Sequence, residues 1–261
     1  MIQETVMMES LQIGYRSNKG THVVAESITA AIRQGELTCL LGENGVGKST
    51  LLRTLAGFMP PLSGTISMGG RSLEELTPRQ LARTVGVVLT ERLDVQQMLV
   101  TELVAMGRSP YTDFWGRLDD DDWQAVDEAI RLVGIDALRR RQVNTLSDGE
   151  RQKAMIAKAL AQQTPIIYLD EPTAFLDYPS KAEMLLLLRR ICREAQKTVF
   201  LSTHDLELAL QVADTVWLME HGGTLHIGSP RQLADAGILG RFIERDGMTF
   251  DSHTLSVHVS L

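Results

Sequence analysis

Nine consecutive residues, Gly42-Glu43-Asn44-Gly45-Val46-Gly47-Lys48-Ser49-Thr50, have the types and spacing that hold a polyphosphate. The pattern is GxxxxGKS/T, preceded by the apolar run 37–41 and followed by Leu51, Leu52 and Leu55, the strand–loop–helix setting that it requires. Glycines let the backbone curl so that successive N–H groups and a helix N-terminus face the phosphates. Lys48 then reaches the outer phosphates, and the Ser49 hydroxyl suits a magnesium ion. Gly42, Gly45 and Gly47 stand in the order GxxGxG, the reverse of the dinucleotide-binding GxGxxG, which excludes that class of loop.

A second constellation is Ile166-Ile167-Tyr168-Leu169-Asp170-Glu171, an apolar strand ending in two carboxylates. A hard cation beside a triphosphate needs an oxygen ligand near the C-terminal edge of a sheet, and hydrolysis needs a second group to orient or deprotonate water. Asp170 suits the first role and Glu171 the second. Alone, such a pair more often caps the next turn; a phosphate loop on a neighbouring strand favours the catalytic reading.

The elements that must position these groups are legible as an α/β chain. Residues 5–13, 23–32 and 36–41 read as strands separated by turn residues, and the last lacks alternation, as a strand buried on both faces does. Similar apolar runs at 85–89, 166–169, 199–202 and 216–219, with helical patterns among them, predict a mostly parallel sheet. Between about residue 95 and residue 163 only helical segments occur, at 100–106, 120–133 and 149–163, which predicts a helical subdomain inserted into the sheet domain. Period-two residues Leu255, Val257 and Val259 predict a late edge strand. With 261 residues, one large domain or a core plus a subdomain is expected.

Composition narrows the partners. Asp and Glu outnumber Lys and Arg by 33 to 26, a net charge of -7, which disfavours a nucleic-acid-binding face. No apolar run is long enough to span a bilayer, and no signal peptide is readable at the N-terminus. Cys39 and Cys192, far apart and without a CxxC motif, predict neither a disulfide framework nor a zinc site.

Leu146-Ser147-Asp148-Gly149-Glu150-Arg151-Gln152 opens the third helical segment and resembles the LSGGQ signature of ATP-binding-cassette (ABC) ATPases. Ser147 reads equally as a helix N-cap closing a capping box with Glu150, and both roles can hold at once. Other motifs agree in order: Tyr15 where the family stacks an aromatic on adenine, Thr90-Glu91 at the Q-loop, Ala174-Phe175-Leu176-Asp177 at the D-loop and His204 at the switch histidine. Strand packing is the alternative for Tyr15, and an ordinary strand-end position the alternative for His204. The stretch 102–111, with Gly107-Arg108-Ser109-Pro110, and the later Trp115 look like the ATPases of importers for ferric siderophores, ferric citrate, haem and cobalamin. Read as packing, Arg108-Ser109-Pro110 is a helix stop with Trp115 beneath the loop. Asp119–Asp122 and Arg139–Arg141 read as dipole-favourable helix ends.

The resemblance implies a RecA-like P-loop NTPase core carrying an N-terminal antiparallel β subdomain, with residues 1–94 and 164–246 forming the nucleotide-binding core, 95–163 the helical signature subdomain and 247–261 a tail. It implies a head-to-tail homodimer holding ATP and Mg²⁺ between residues 42–50 of one copy and Ser147, Asp148, Gly149 and Glu150 of the other. Ala174, Leu176 and Asp177 would lie at that interface, with Lys48, Glu171 and His204 catalytic and Ser49, Asp170 and Glu91 at the metal. It implies a peripheral protein on the cytoplasmic side of the membrane, working with two multi-span permease subunits and, indirectly, a periplasmic or lipoprotein substrate-binding protein. Two residues depart from the family: Glu91 stands for Gln, and Asp148 for the first Gly of the signature. A regulatory nucleotide-binding module and a soluble non-transport cassette ATPase stay open as alternatives.

Overall fold

A computed structural model describes residues 4–17, 20–90, 97–113 and 115–260. Strands β1 (Glu4–Ser17) and β2 (Gly20–Arg33) pair antiparallel, and β3 (Leu37–Gly42) leads through the glycine loop into α1 (Lys48–Leu55). Next, β4 (Ser63–Met68) and β5 (Arg71–Ser72) join the other side of β1, making an antiparallel sheet of order β2-β1-β4-β5. After α2 (Pro78–Ala82) and β6 (Val85–Val88), the described residues form three α-helices with no strand among them: α3 (Val100–Ala105), α4 (Asp120–Val133) and α5 (Asp148–Ala161). The chain continues through β7 (Ile166–Asp170), α6 (Tyr178–Glu194), β8 (Thr198–Ser202), α7 (Leu206–Val212), β9 (Thr215–Met219) and β10 (Leu225–Gly228). It closes with α8 (Pro230–Asp235), α9 (Ile238–Ile243), β11 (Met248–Asp251) and β12 (Ser256–Val259).

The central sheet runs β10-β9-β3-β8-β7-β6, with only β10 antiparallel to its neighbour. Its strands feed two cores, one on each face. Leu37, Cys39, Leu41, Ile167, Leu169, Val199 and Leu201 pack toward α3–α7. Leu40, Ile166, Tyr168, Phe200 and Trp217 pack toward α1 and the antiparallel sheet. This double burial is why the strands read as unbroken apolar runs. Phe200 meets Tyr168 and Trp217 edge to face, with ring centroids 5.9 and 5.1 Å apart, an arrangement favoured by the ring quadrupoles. Both cysteines are free and buried, and burial pushes the Cys192 thiol up to about 12.

Two expectations change, and the late edge strand acquires its partner. The strand carrying the phosphate loop and the strand carrying Asp170 are not neighbours, because β8 lies between β3 and β7. The tail does not edge the central sheet: β12 pairs with β11 in a separate hairpin, held down by Leu255 and Val257 against the core and by the Val257 N–H donating to Glu207 Oε1 at 2.7 Å. Trp115, 77% exposed, does not pack beneath its loop.

Asp122 is more than dipole complement. Asp119 caps α4 and forms a capping box with Asp122, whose Oδ1 also accepts Arg108 Nε at 2.7 Å. Buried Arg108 further donates to the Ala161 carbonyl and Gln163 Oε1 at 2.8 and 2.9 Å and lies over the Tyr111 ring. One guanidinium thus ties the start of α4 to the end of α5. At the basic end beyond α4, Arg139 pairs with Asp127 and Asp136, and Arg141 with Glu150.

Burial pushes the Asp122 carboxyl up, but the Arg108 hydrogen bond and the Asp119 amide outweigh it and hold the group below its ordinary value. Asp122→Asn keeps the shape and leaves Arg108 uncompensated, so it should lower the unfolding free energy in urea by about 3 kcal/mol at neutral pH. A carboxyl depressed on folding stabilises above its unfolded value, 3.8, and loses that contribution as pH falls through the folded value. The gap between parent and variant should therefore persist at about pH 5 and narrow below about pH 4. A variant as stable as the parent would show that the pair contributes nothing.

Candidate nucleotide-binding site

The phosphate loop leaves β3 at Gly42 (φ 154°), where a Cβ would stand 2.4 Å from the Met219 carbonyl oxygen. It enters α1 at Gly47 (φ 117°), where a Cβ would stand 2.2 Å from Val24 Cγ1. Both positions require glycine. Lys48 is buried, and its ammonium donates to the carbonyls of Gly42 and Glu43 at 2.8 and 3.0 Å. Burial lowers the Lys48 pKa, while the charges of Glu171 and Asp170 act in the opposite direction.

Beside the loop stands Asp170, at the end of β7 and nearly buried. Its Oδ1 accepts from Ser49 Oγ at 3.0 Å and from Ser202 Oγ at 2.7 Å, and its carbonyl accepts from Thr90 Oγ1 at 2.8 Å. Ser202, at the end of the intervening β8, fills the gap between the other two strands. Glu171 has a positive φ of 47°, a conformation uncommon outside glycine that is sustained only by its surroundings. Its N–H is taken by the Ser202 carbonyl and Oγ at 3.1 and 3.0 Å, which turns the side chain toward His204, whose Nδ1 lies 3.4 Å from Glu171 Oε2. The loops around them are bolted by Asp205, which accepts from Thr173 Oγ1 at 2.7 Å and from Lys181 Nζ at 2.6 Å. Burial raises the Asp205 carboxyl, yet these two partners bring it below the ordinary range.

A cleft of about 440 Å³ joins residues 44–50 and Glu171 to Tyr15, His22 and His221. Tyr15 and His22 are cross-strand partners on β1 and β2, and their rings stack at 5.1 Å with 9° between planes. Glu43 lies at the loop's outer side, with Arg245 at 2.7 Å and His221 at 3.0 Å, and these two hydrogen bonds, Arg245's first, hold its carboxyl below the usual range. Sequence reasoning missed His22, Ser202, His221 and Arg245. Only strand register could have revealed His22, and no local pattern marks the others.

The signature residues Ser147, Asp148, Gly149 and Glu150 do not line this cleft. Ser147 caps α5 by accepting from the Glu150 N–H at 3.3 Å, and the Glu150 carboxylate accepts from the Ser147 N–H at 2.9 Å. Asp148 turns to Arg151, 3.1 Å away. Ala174, Phe175, Leu176 and Asp177 follow Glu171: Phe175 has φ 65° and is 70% exposed, and Asp177 caps α6 through the Ser180 N–H at 3.1 Å. Glu91, assigned to the metal, lies outside the described residues. Ser49 and Asp170 supply a hydroxyl and one carboxylate, hard oxygen donors suited to a magnesium ion that arrives with a polyphosphate. Among the described residues no cluster of three His, Cys, Asp or Glu offers a protein-only metal cage.

Fold and site together define a nucleoside-triphosphatase of the phosphate-loop class. The family model described as "ABC transporter" matches residues 25–174, and the chain belongs to that family, whose cassettes bind and hydrolyse ATP. It is 40% identical over 236 residues to the uncharacterized ABC transporter ATP-binding protein MJ0873 of Methanocaldococcus jannaschii, covering 90% of this chain and 80% of that one. With the ferric enterobactin transport ATP-binding protein FepC of Escherichia coli it shares 36% over 233 residues, covering 89% and 84%. The solved structure of CbiO1 from Clostridium perfringens, part of the ABC transporter complex CbiONQ, superposes with a TM-score of 0.79 at 28% identity, covering 92% and 94%.

If adenine stacks on the Tyr15–His22 pair, Tyr15→Ala should weaken ATP binding by about 1–3 kcal/mol, the worth of one base–aromatic stack, and Tyr15→Phe should preserve it. Titration with a fluorescent ATP analogue measures this. An unchanged Kd in Tyr15→Ala would leave Tyr15 a strand-packing residue only.

Proposed function

We propose that the chain is the ATPase subunit of an importer of an iron chelate, haem or cobalamin, acting as a homodimer on the cytoplasmic face of two membrane permease subunits. The observation that carries the ATPase part is the clustering of Ser49, Asp170, Glu171 and His204 at the C-terminal edge of the sheet. The importer part is supported by the likeness to FepC and by Gly107-Arg108-Ser109-Pro110 in the helical region. A substrate-binding protein would deliver cargo to the permeases, so it would not touch this chain. No described helix is long and apolar enough to cross a membrane.

In this reading the backbone N–H groups of residues 44–49 and the Lys48 ammonium bind the β- and γ-phosphates, while Tyr15 holds the base. Ser49 and Asp170 would hold Mg²⁺, which supplies neutralisation of charge on the phosphate oxygens. Glu171 orients the attacking water and draws its proton, and His204, beside Glu171, faces the γ-phosphate. The Ser147 hydroxyl and the Gly149 N–H of a second copy complete the γ-phosphate contacts. Asp148 turned to Arg151 supports that role, because a carboxylate facing the phosphate about 4 Å away would be repelled by about 4 kcal/mol at an effective dielectric of about 20.

An apolar cleft of about 670 Å³ is bounded by Phe58, Pro60, Leu73, Leu81, Val87 and Gln162. Set between the end of α1, α2 and β6, it supports docking of a permease helix on this face.

Glu171→Gln should still bind Mg-ATP, lose turnover by about 10²-fold or more and accumulate as a dimer with ATP on gel filtration. A monomer that hydrolyses ATP at the parent rate would remove Glu171 from the mechanism.

A further inference from the structure

Glu43 occupies the second position of the phosphate loop, and both of its carboxylate oxygens are taken from outside the loop. Arg245 Nη2 holds Oε1 at 2.7 Å, and His221 Nε2 holds Oε2 at 3.0 Å. The main chain of the same residue faces inward, where its carbonyl accepts from Lys48 Nζ at 3.0 Å. Glu43 therefore joins a peripheral grip to the ammonium that meets the phosphates.

Both gripping residues sit on braced turns. Arg245 and Met248 exchange backbone hydrogen bonds at 3.2 and 2.8 Å, and the turn follows α9, whose Leu239 and Ile243 are buried. The turn carrying His221 is closed by Glu220 N–H to the Thr224 carbonyl at 2.9 Å and by Gly223 N–H to the Glu220 carbonyl at 3.1 Å. Arg245 lies 202 positions from Glu43, beyond the 25–174 region that matches the family.

We infer that Arg245, together with His221, is a positioning residue for ATP binding: by holding Glu43 it fixes the first carbonyls of the phosphate loop and hence Lys48, so that the C-terminal segment sets nucleotide affinity. The effect falls on binding, because among the described residues neither Arg245 nor His221 bonds to Asp170, Glu171 or His204. Rigid placement of a loop that must meet a ligand removes an ordering cost from binding.

The inference rests on the ATPase reading, and the test separates the two. Binding of a fluorescent ATP analogue and steady-state hydrolysis are measured for the parent, Arg245→Ala, Arg245→Lys, Glu43→Gln and the Arg245→Ala/Glu43→Gln pair. Exposed ion pairs contribute modestly, so Arg245→Ala should raise both the Kd and the KM for ATP by about two- to five-fold, with kcat held within a factor of about two. Arg245→Lys should recover most of the affinity. The double variant should bind no worse than the weaker single variant, because Glu43→Gln already removes the charge that Arg245 holds, leaving Arg245→Ala little further to break. An unchanged Kd in Arg245→Ala, or losses that add in the double variant, would overturn the inference. If Arg245→Ala does not fold, Arg245→Lys set against Glu43→Gln makes the same distinction: only the second should weaken binding, and equal affinities in the two would overturn the inference. A parent that binds the analogue but hydrolyses no ATP would count against the ATPase reading and leave the Kd comparison intact.

Discussion

Everything at this site hangs on one carboxylate, Asp170, held between two hydroxyls. Ser49 and Ser202 both donate to Oδ1, and with them the beginning of α1, the end of β7 and the end of β8 meet at one point. A nearly buried carboxylate without such partners would be costly, so the three elements are fixed relative to one another by the need to satisfy it. The crevice beyond the carboxyl ends of parallel strands is where ligands bind in sheets of this kind. Here Ser202 on the intervening strand also takes the Glu171 N–H, so the residue that holds the Asp170 carboxylate orients Glu171 as well.

Such precision needs a scaffold that does not yield. The sheet supplies it by being buried on both faces, with the edge-to-face row Tyr168–Phe200–Trp217 projecting from β7, β8 and β9 into one of the two cores. On that base the chain tolerates unfavourable backbone at Glu171 and Phe175, both at positive φ, and both on the segment that follows Asp170. The same scaffold reaches the outer side of the phosphate loop through Arg245 and His221, so the loop is braced by Asp170 within and by the C-terminal turns without.

What was legible in the sequence was local. The phosphate loop, the Asp-Glu strand end, the capping box of α5 and the doubly buried strands all lie within a few residues of the features that announce them. What was not legible depends on tertiary neighbours: that β8 separates β3 from β7, that Ser202 bridges them, that His22 faces Tyr15, and that Arg245 reaches Glu43. Asp122 shows the limit clearly. Its place in the first turn of α4 suggested a dipole role, and only the fold discloses that Arg108 turns it into the tie between two helices. In the tail, alternation gave a strand correctly but could not say that its partner would be β11 instead of the central sheet.

The most direct test of this account is equilibrium binding of Mn²⁺, as a paramagnetic substitute for Mg²⁺, followed by EPR in the presence of ATP. If Asp170 and Ser49 hold the metal beside the phosphates, Asp170→Asn, which preserves shape and hydrogen bonding, should weaken Mn²⁺ binding about tenfold or more while metal-free ATP still binds. Parent-like Mn²⁺ affinity in that variant would contradict the assignment and move the metal away from the carboxylate around which the site is built.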